Sequence, residues 1–123
     1  MLPPAVMTDR TKTILQVLPR LDLGGAERVV VETAEAVHKA GHRALIAAES
    51  GPLAAAALRA GAQLMPLPLN TKNPLKIWSN IGKLENLIKA QKIDLVHAHS
   101  RAPAWSAYHA ARRCHIPLSL IHI

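Results

Sequence analysis

The chain has 123 residues, half of them apolar, which suits one packed core and excludes a disordered tail. Fifteen Lys and Arg stand against eight Asp and Glu, a formal charge of +7. The excess is scattered, and no basic run is interleaved with aromatics, so nucleic acid is not the expected partner.

The positive balance fits anionic partners: phosphorylated sugars, lipid-linked phosphates or an anionic membrane face. A fragment whose acidic complement lies elsewhere would read the same way. Cys114 is the one cysteine, so no intrachain disulfide can form, and a cytoplasmic setting is expected. No apolar run approaches the roughly 20 residues needed to cross a bilayer. The opening stretch, residues 1–12 (MLPPAVMTDRTK), lacks the apolar run of a signal peptide and reads as a flexible extension, with Met7 an alternative start.

Thr13 to Leu18 (TILQVL) is an apolar run stopped by Pro19, and predicts a buried first strand. Gly24-Gly25 then opens a helix over Ala26 to Ala40, with Val29, Val30, Thr33, Ala34 and Val37 on one face and Gly41 ending it. Ala44 to Ala48 predicts a second strand, and Leu53 to Ala60 a short helix closed by Gly61. Gln63 to Leu67 is a weaker strand, suited by Pro66 and Pro68 to an edge. Asn73-Pro74 pairs an N-cap with proline at the first helical position. From there Trp78, Ile81, Leu84, Leu87 and Ile88 repeat at helical spacing to about Gln91. Asp94 to Ala98 predicts a fourth strand, Pro103 to Arg113 a helix, and Ile116-Pro117 the approach to a fifth strand.

Short unalternating strands between helices imply a parallel sheet with helices on both faces, a Rossmann-like α/β arrangement. The last residues, LSLIHI, fall where the fifth strand should run. One reading frame of a common transposase library adapter (CTG TCT CTT ATA CAC ATC) encodes the same string. Residues 118–123 are therefore read as an adapter scar rather than as site-bearing residues, the alternative being an ordinary apolar strand.

Ligands of open α/β sheets bind at the carboxyl ends of the strands, which singles out two loops. In Leu23-Gly24-Gly25-Ala26-Glu27-Arg28, two glycines let the backbone approach a ligand, and the helix N-terminus beyond favours an anion. A tight strand-to-helix turn would use the same pair, and the spacing fits neither a dinucleotide fingerprint nor a phosphate loop. In His97-Ala98-His99-Ser100-Arg101, strand alternation puts both histidines on one face and His99, Ser100 and Arg101 at the strand's mouth. There His and Ser can bond sugar hydroxyls, and Arg can pair with phosphate. His97 reads as a satisfied core histidine. A zinc reading of His-x-His needs a third ligand, with Cys114 and His115 the remaining candidates, so no metal is expected. Ser100 lacks the surroundings of a nucleophile.

Together QVLPRLDLGGAERVVVETAEAVHKAGH, SGPLAAAALRAGAQ and NPLKIWSNIGKLENLIKAQKIDLVHAHSRAPAW resemble the N-terminal domain of family 4 retaining glycosyltransferases, from about Thr13 to Pro117. The GGAER turn and the DLVHAHS strand end carry most of the likeness. The resemblance implies residues 13–117 as a partial acceptor-side domain, the incomplete N-terminal half of a two-domain glycosyltransferase-B fold. It implies contact of Gly24 and Gly25 with the donor diphosphate or reacting sugar, and acceptor contact at His99, Ser100 and Arg101. The sugar nucleotide would be gripped by a C-terminal domain through paired glutamates and basic residues. The family's histidine after the fifth strand should follow Ile116-Pro117, so no catalytic residue is expected in this chain, and no metal or other cofactor.

The implied reaction moves a sugar from a nucleotide-diphosphate donor to a glycan or lipid-linked acceptor, in bacterial cell-surface polysaccharide or lipopolysaccharide assembly. Lys72, Lys76 and Lys83 would suit an anionic membrane face, or simply a solvated helix surface. A stand-alone α/β ligand-binding module of flavodoxin or receiver type is the alternative from another class, although a receiver would have to find its acids in Asp22 and Asp94. Another glycosyltransferase-B enzyme, such as a sugar-nucleotide epimerase or glycogen-type synthase, is the nearer rival.

Overall fold

The computed structural model describes residues 11–20, 25–99 and 101–121, with backbone alone for residues 20, 25–27, 101–102 and 120–121. Five strands, β1 (Thr13–Arg20), β2 (Arg43–Glu49), β3 (Gln63–Pro66), β4 (Leu95–His99) and β5 (Leu118–Ile121), alternate with four helices. The helices are α1 (Gly25–Lys39), α2 (Ala54–Arg59), α3 (Pro74–Gln91) and α4 (Arg101–Cys114). All strands pair in parallel in the order β3-β2-β1-β4-β5. This is the Rossmann-like sheet expected from the chain order.

Alternation along the strands divides the interior in two. Leu15, Val17, Leu45, Ala47, Val96 and Ala98 point to one face, where Ile81, Leu84 and Ile88 of α3 and Ala107, Ala110 and Ala111 of α4 cover them. Leu18, Ala44, Ile46 and Ala48 point to the other, beneath Val30 and Ala34 of α1 and Ala57 of α2. The absence of phenylalanine is met by alanine on the helices, which lets helix backbones sit close to the sheet.

Local signals do their expected work. The Asn73 side chain accepts from the Leu75 amide at 2.9 Å and Pro74 occupies the first helical position. Gly41 (φ +88°) and Gly61 (φ +99°) take the left-handed backbone that ends their helices; a Cβ at Gly61 would overlap the His38 ring. β3 lies at the sheet edge, where Pro66 forfeits no central ladder bond.

Several details depart from expectation. β1 runs through Pro19 to Arg20, with a register shift against β2 between Val17 and Arg20, as suits a residue with no N–H to give. α4 starts at Arg101, so that Pro103 sits in its first turn, where no helical N–H partner is lost. Val29 and Trp78 leave the apolar stripes assigned to them: Val29 is exposed, and Trp78 is 64% exposed at the margin between α3 and α4.

Leu118–Ile121 pairs with Val96–His99. A short apolar run will pair with an open strand edge whatever codons supplied it, so pairing is silent on the origin of these residues. Most of the expected N-terminal extension, residues 1–10, lies outside the described residues. Lys12 is exposed, and its amide donates to His42 Nδ1 at 3.0 Å.

Candidate functional site

From β1 the chain winds outward in one direction through β2 to β3, then returns to place β4 and β5 on the other side. β1 and β4 are therefore neighbours whose following connections diverge, which opens a crevice at their carboxyl ends. α1 and α4 both begin at that edge, at Gly25 and Arg101, and turn their free N–H groups toward it.

Just below the crevice lies a buried polar pair. Gln16, in the central strand, and His99, in the last position of β4, are 1% and 2% exposed. The Gln16 Nε2 amide donates to the Val30 carbonyl of α1 at 3.0 Å. A carbonyl can only accept, so this contact fixes the amide with its oxygen toward His99. His99 Nε2 stands 3.2 Å from Gln16 Oε1 and must carry the proton that bridges them. In the neutral ring Nδ1 is then an acceptor, and it has no partner among the described residues.

The electrostatics agree. Burial, reinforced by repulsion from His97, pushes the His99 pKa down to about 4. Burial also lowers that of His97, whose ring lies 4.7 Å from that of His99, close to edge-on. At neutral pH the pair is uncharged. It can accept a hydrogen bond from a hydroxyl or an amide, and it cannot neutralise a diphosphate.

Of the residues singled out in the sequence, Gly24 and Ser100 lie outside the described residues. Gly25 is the first residue of α1 and Arg101 the first of α4, and the Arg101 side chain is likewise outside the description. His97 and His99 share a face as expected, but their depths are the reverse of the expectation. His99 is the histidine held in the interior, whereas His97 is half-buried, its ring edge-on to that of His99. No group of three His, Cys, Asp or Glu side chains suited to a metal ion forms among the described residues. Gln16 was not singled out. Its signal was present: one polar residue inside TILQVL, a strand whose burial on both faces demands a partner for it.

Residues 23–121 match the sequence model of Glycosyltransferase Family 4, spanning both loops of the crevice. The chain belongs to Glycosyltransferase Family 4. A glycosyltransferase from Rickettsia africae ESF-5 is 34% identical, with a TM-score of 0.79 over 89% of this chain. The chain spans 29% of that protein's length. Two further solved structures share the fold alone. MurG of Acinetobacter baumannii is 17% identical with a TM-score of 0.72, over 89% of this chain and 34% of its own. The C-terminal domain of the PF1911 hydrogenase of Pyrococcus furiosus is 16% identical with a TM-score of 0.66, over 90% of this chain and 91% of its own. No curated protein matches the chain. The family membership and these neighbours agree with a sheet of glycosyltransferase-B type.

Proposed function

We infer that the chain is the acceptor-side part of a longer retaining glycosyltransferase, which moves a sugar from a nucleotide-diphosphate donor to a glycan or lipid-linked acceptor. The observation that carries this reading is the family match over residues 23–121, which takes in both loops at the β1–β4 crevice. Cell-surface polysaccharide or lipopolysaccharide synthesis, at the cytoplasmic face of a membrane, is the setting this acceptor class suggests. No helix among the described residues is long and apolar enough to span a bilayer, so any attachment through them would be peripheral.

In this reading, backbone N–H groups at the Gly24-Gly25 turn and the start of α1 face the donor diphosphate, favoured by the helix dipole with no metal ion. The acceptor binds at the β4 end and is contacted by Ser100 and Arg101. His99 stands behind them as a neutral hydrogen-bond acceptor whose orientation Gln16 sets. The groups that grip the nucleotide belong to a second domain. A stand-alone α/β binding module of flavodoxin or receiver type could use the same fold, but it has no family match in its favour.

The reading is tested by nucleoside diphosphate release from a panel of sugar nucleotides. A longer polypeptide that includes this chain and a second domain should release it in the presence of acceptor, and the 123-residue chain alone should release none. Turnover by the chain alone would refute the division between domains. Silence of the longer polypeptide with every donor would refute the transferase reading.

A further inference from the structure

Gln16 occupies a place where hydrocarbon would pack more readily. On the sheet face beneath α1 its cross-strand neighbours are Ile46 of β2 and His97 of β4, with Leu18 two residues along its own strand. Ile46, Leu18 and Val30 are all buried. An amide in such surroundings is tolerated only when its polar atoms are bonded. Replacing such an amide and its partner together by apolar side chains of the same shape is close to neutral for stability. Stability therefore does not account for the pair that Gln16 makes with His99.

What the pair fixes is the direction of a chain of hydrogen bonds. The Val30 carbonyl can only accept, so the Gln16 amide cannot turn over. The Gln16 oxygen can only accept in its turn, so His99 cannot move its proton from Nε2 to Nδ1. Each link removes one alternative from the next. The chain ends on a buried lone pair, His99 Nδ1, which has no partner among the described residues and belongs to the last residue of β4, beside the crevice. A seam that served packing alone would end on a partner within the fold.

For a histidine to accept a hydrogen bond at neutral pH, Nδ1 must be bare and the ring must hold no second proton. Gln16 supplies the first condition. The burial that brings the His99 pKa down to about 4 supplies the second. An acceptor prepared in this way suits a hydroxyl and offers nothing to an anion.

We propose that Gln16 is a positioning residue for the crevice: acting through His99, it holds the Nδ1 lone pair ready for a hydroxyl of a neutral sugar, which is the acceptor in the transferase reading. Only the word acceptor rests on that reading; the locked tautomer and the sugar hydroxyl do not.

Long-range proton–nitrogen spectra of the chain report the two ring nitrogens of His99 separately. At neutral pH Nε2 should carry the proton and Nδ1 should be bare. The methyl glycosides of glucose, galactose and mannose, added in turn, should move the Nδ1 resonance in the direction of an accepted hydrogen bond with at least one of them. Inorganic pyrophosphate should leave it in place. Gln16→Leu should release the lock, give a mixture of tautomers and weaken that glycoside roughly fivefold. Gln16→Glu keeps the length of the side chain while its carboxylate draws a second proton on to the ring. It should turn Nδ1 into a donor and remove the accepting shift, so the test stands even where Gln16→Leu folds poorly.

Three results would overturn the proposal: a proton on Nδ1 in the unaltered chain, an Nδ1 resonance that ignores every glycoside or answers only to pyrophosphate, or an unchanged tautomer and glycoside response in both variants. No sugar nucleotide enters these measurements. If a longer polypeptide transfers sugar while Nδ1 ignores the glycosides, this proposal fails alone. If Nδ1 responds and no transfer occurs, the transferase reading fails alone.

Discussion

The two faces of the sheet solve the burial problem differently. Beneath α3 and α4 the sheet face is apolar, from Leu15 and Val17 through Val96 and Ala98 to Leu84 and Ile88. The buried polar side chains there, Asn80 and Ser106, belong to the helices and donate to backbone carbonyls. Beneath α1 the apolar cluster gives way to a polar seam, in which Val30, Gln16 and His99 are joined by two hydrogen bonds and His97 stands half-buried beside them. An apolar face holds elements together without directing them. A polar seam costs more to bury, and returns a fixed ring orientation next to a crevice. Apolar packing and the polar seam are thus placed on opposite sides of the same strands, within one residue of each other along β1 and β4.

The contrast can be pressed from both sides. The largest effect is expected on the apolar face: Leu84→Ala, at a fully buried position, should lower unfolding free energy by about 3 kcal/mol in chemical denaturation. A loss below about 1 kcal/mol would mean that this face is not the tightly packed one.

Acid should act on the polar face instead. His99 has its folded pKa lowered to about 4, below the ordinary histidine value of roughly 6.5. Above that ordinary value the ring is neutral in both states and contributes nothing to the pH dependence. As pH falls, the unfolded chain takes up the proton first, so stability drops between about pH 6.5 and about 4 and then levels off. The loss should be on the order of 3 kcal/mol, and His99→Gln should remove most of it. An unchanged acid limb in that variant would place the titration elsewhere.

The smallest expected effect is the most diagnostic of the seam. Gln16→Leu leaves the His99 Nε2 proton without its partner and should cost about 2 kcal/mol. Adding His99→Leu should recover part of that loss, because both partners are then apolar. If the two losses simply add, the residues are not coupled and the seam is only a coincidence of positions.

Much of this architecture was legible along the chain. The alternation of apolar runs with helical stretches predicts the parallel sheet, because strands buried on both faces show no polar face to interrupt the run. Asn73-Pro74, Gly41 and Gly61 mark helix ends through backbone chemistry that acts within a few residues. The candidate crevice was legible in outline, since an open sheet offers its strand ends to ligands, and GGAER and HAHSR follow two of the strands. Which histidine is held inside was not. Strand alternation puts His97 and His99 on the same face and cannot rank their depth. That depth is set by tertiary packing, in which Gln16 of β1 bonds both the Val30 carbonyl of α1 and the His99 ring. Trp78 misled for a related reason: helical spacing locates a stripe, and the neighbouring helix decides where the stripe ends.

The order of elements, the parallel sheet and most helix ends follow from local backbone preference and burial period along the chain, and the family follows from the likeness of its motifs. Tertiary structure alone decided that Gln16 meets His99 across 83 positions of chain, and that Trp78 of α3 meets Trp105 of α4. Such meetings are set by strand register and helix packing, in which residues distant in sequence become neighbours and no local pattern records the encounter.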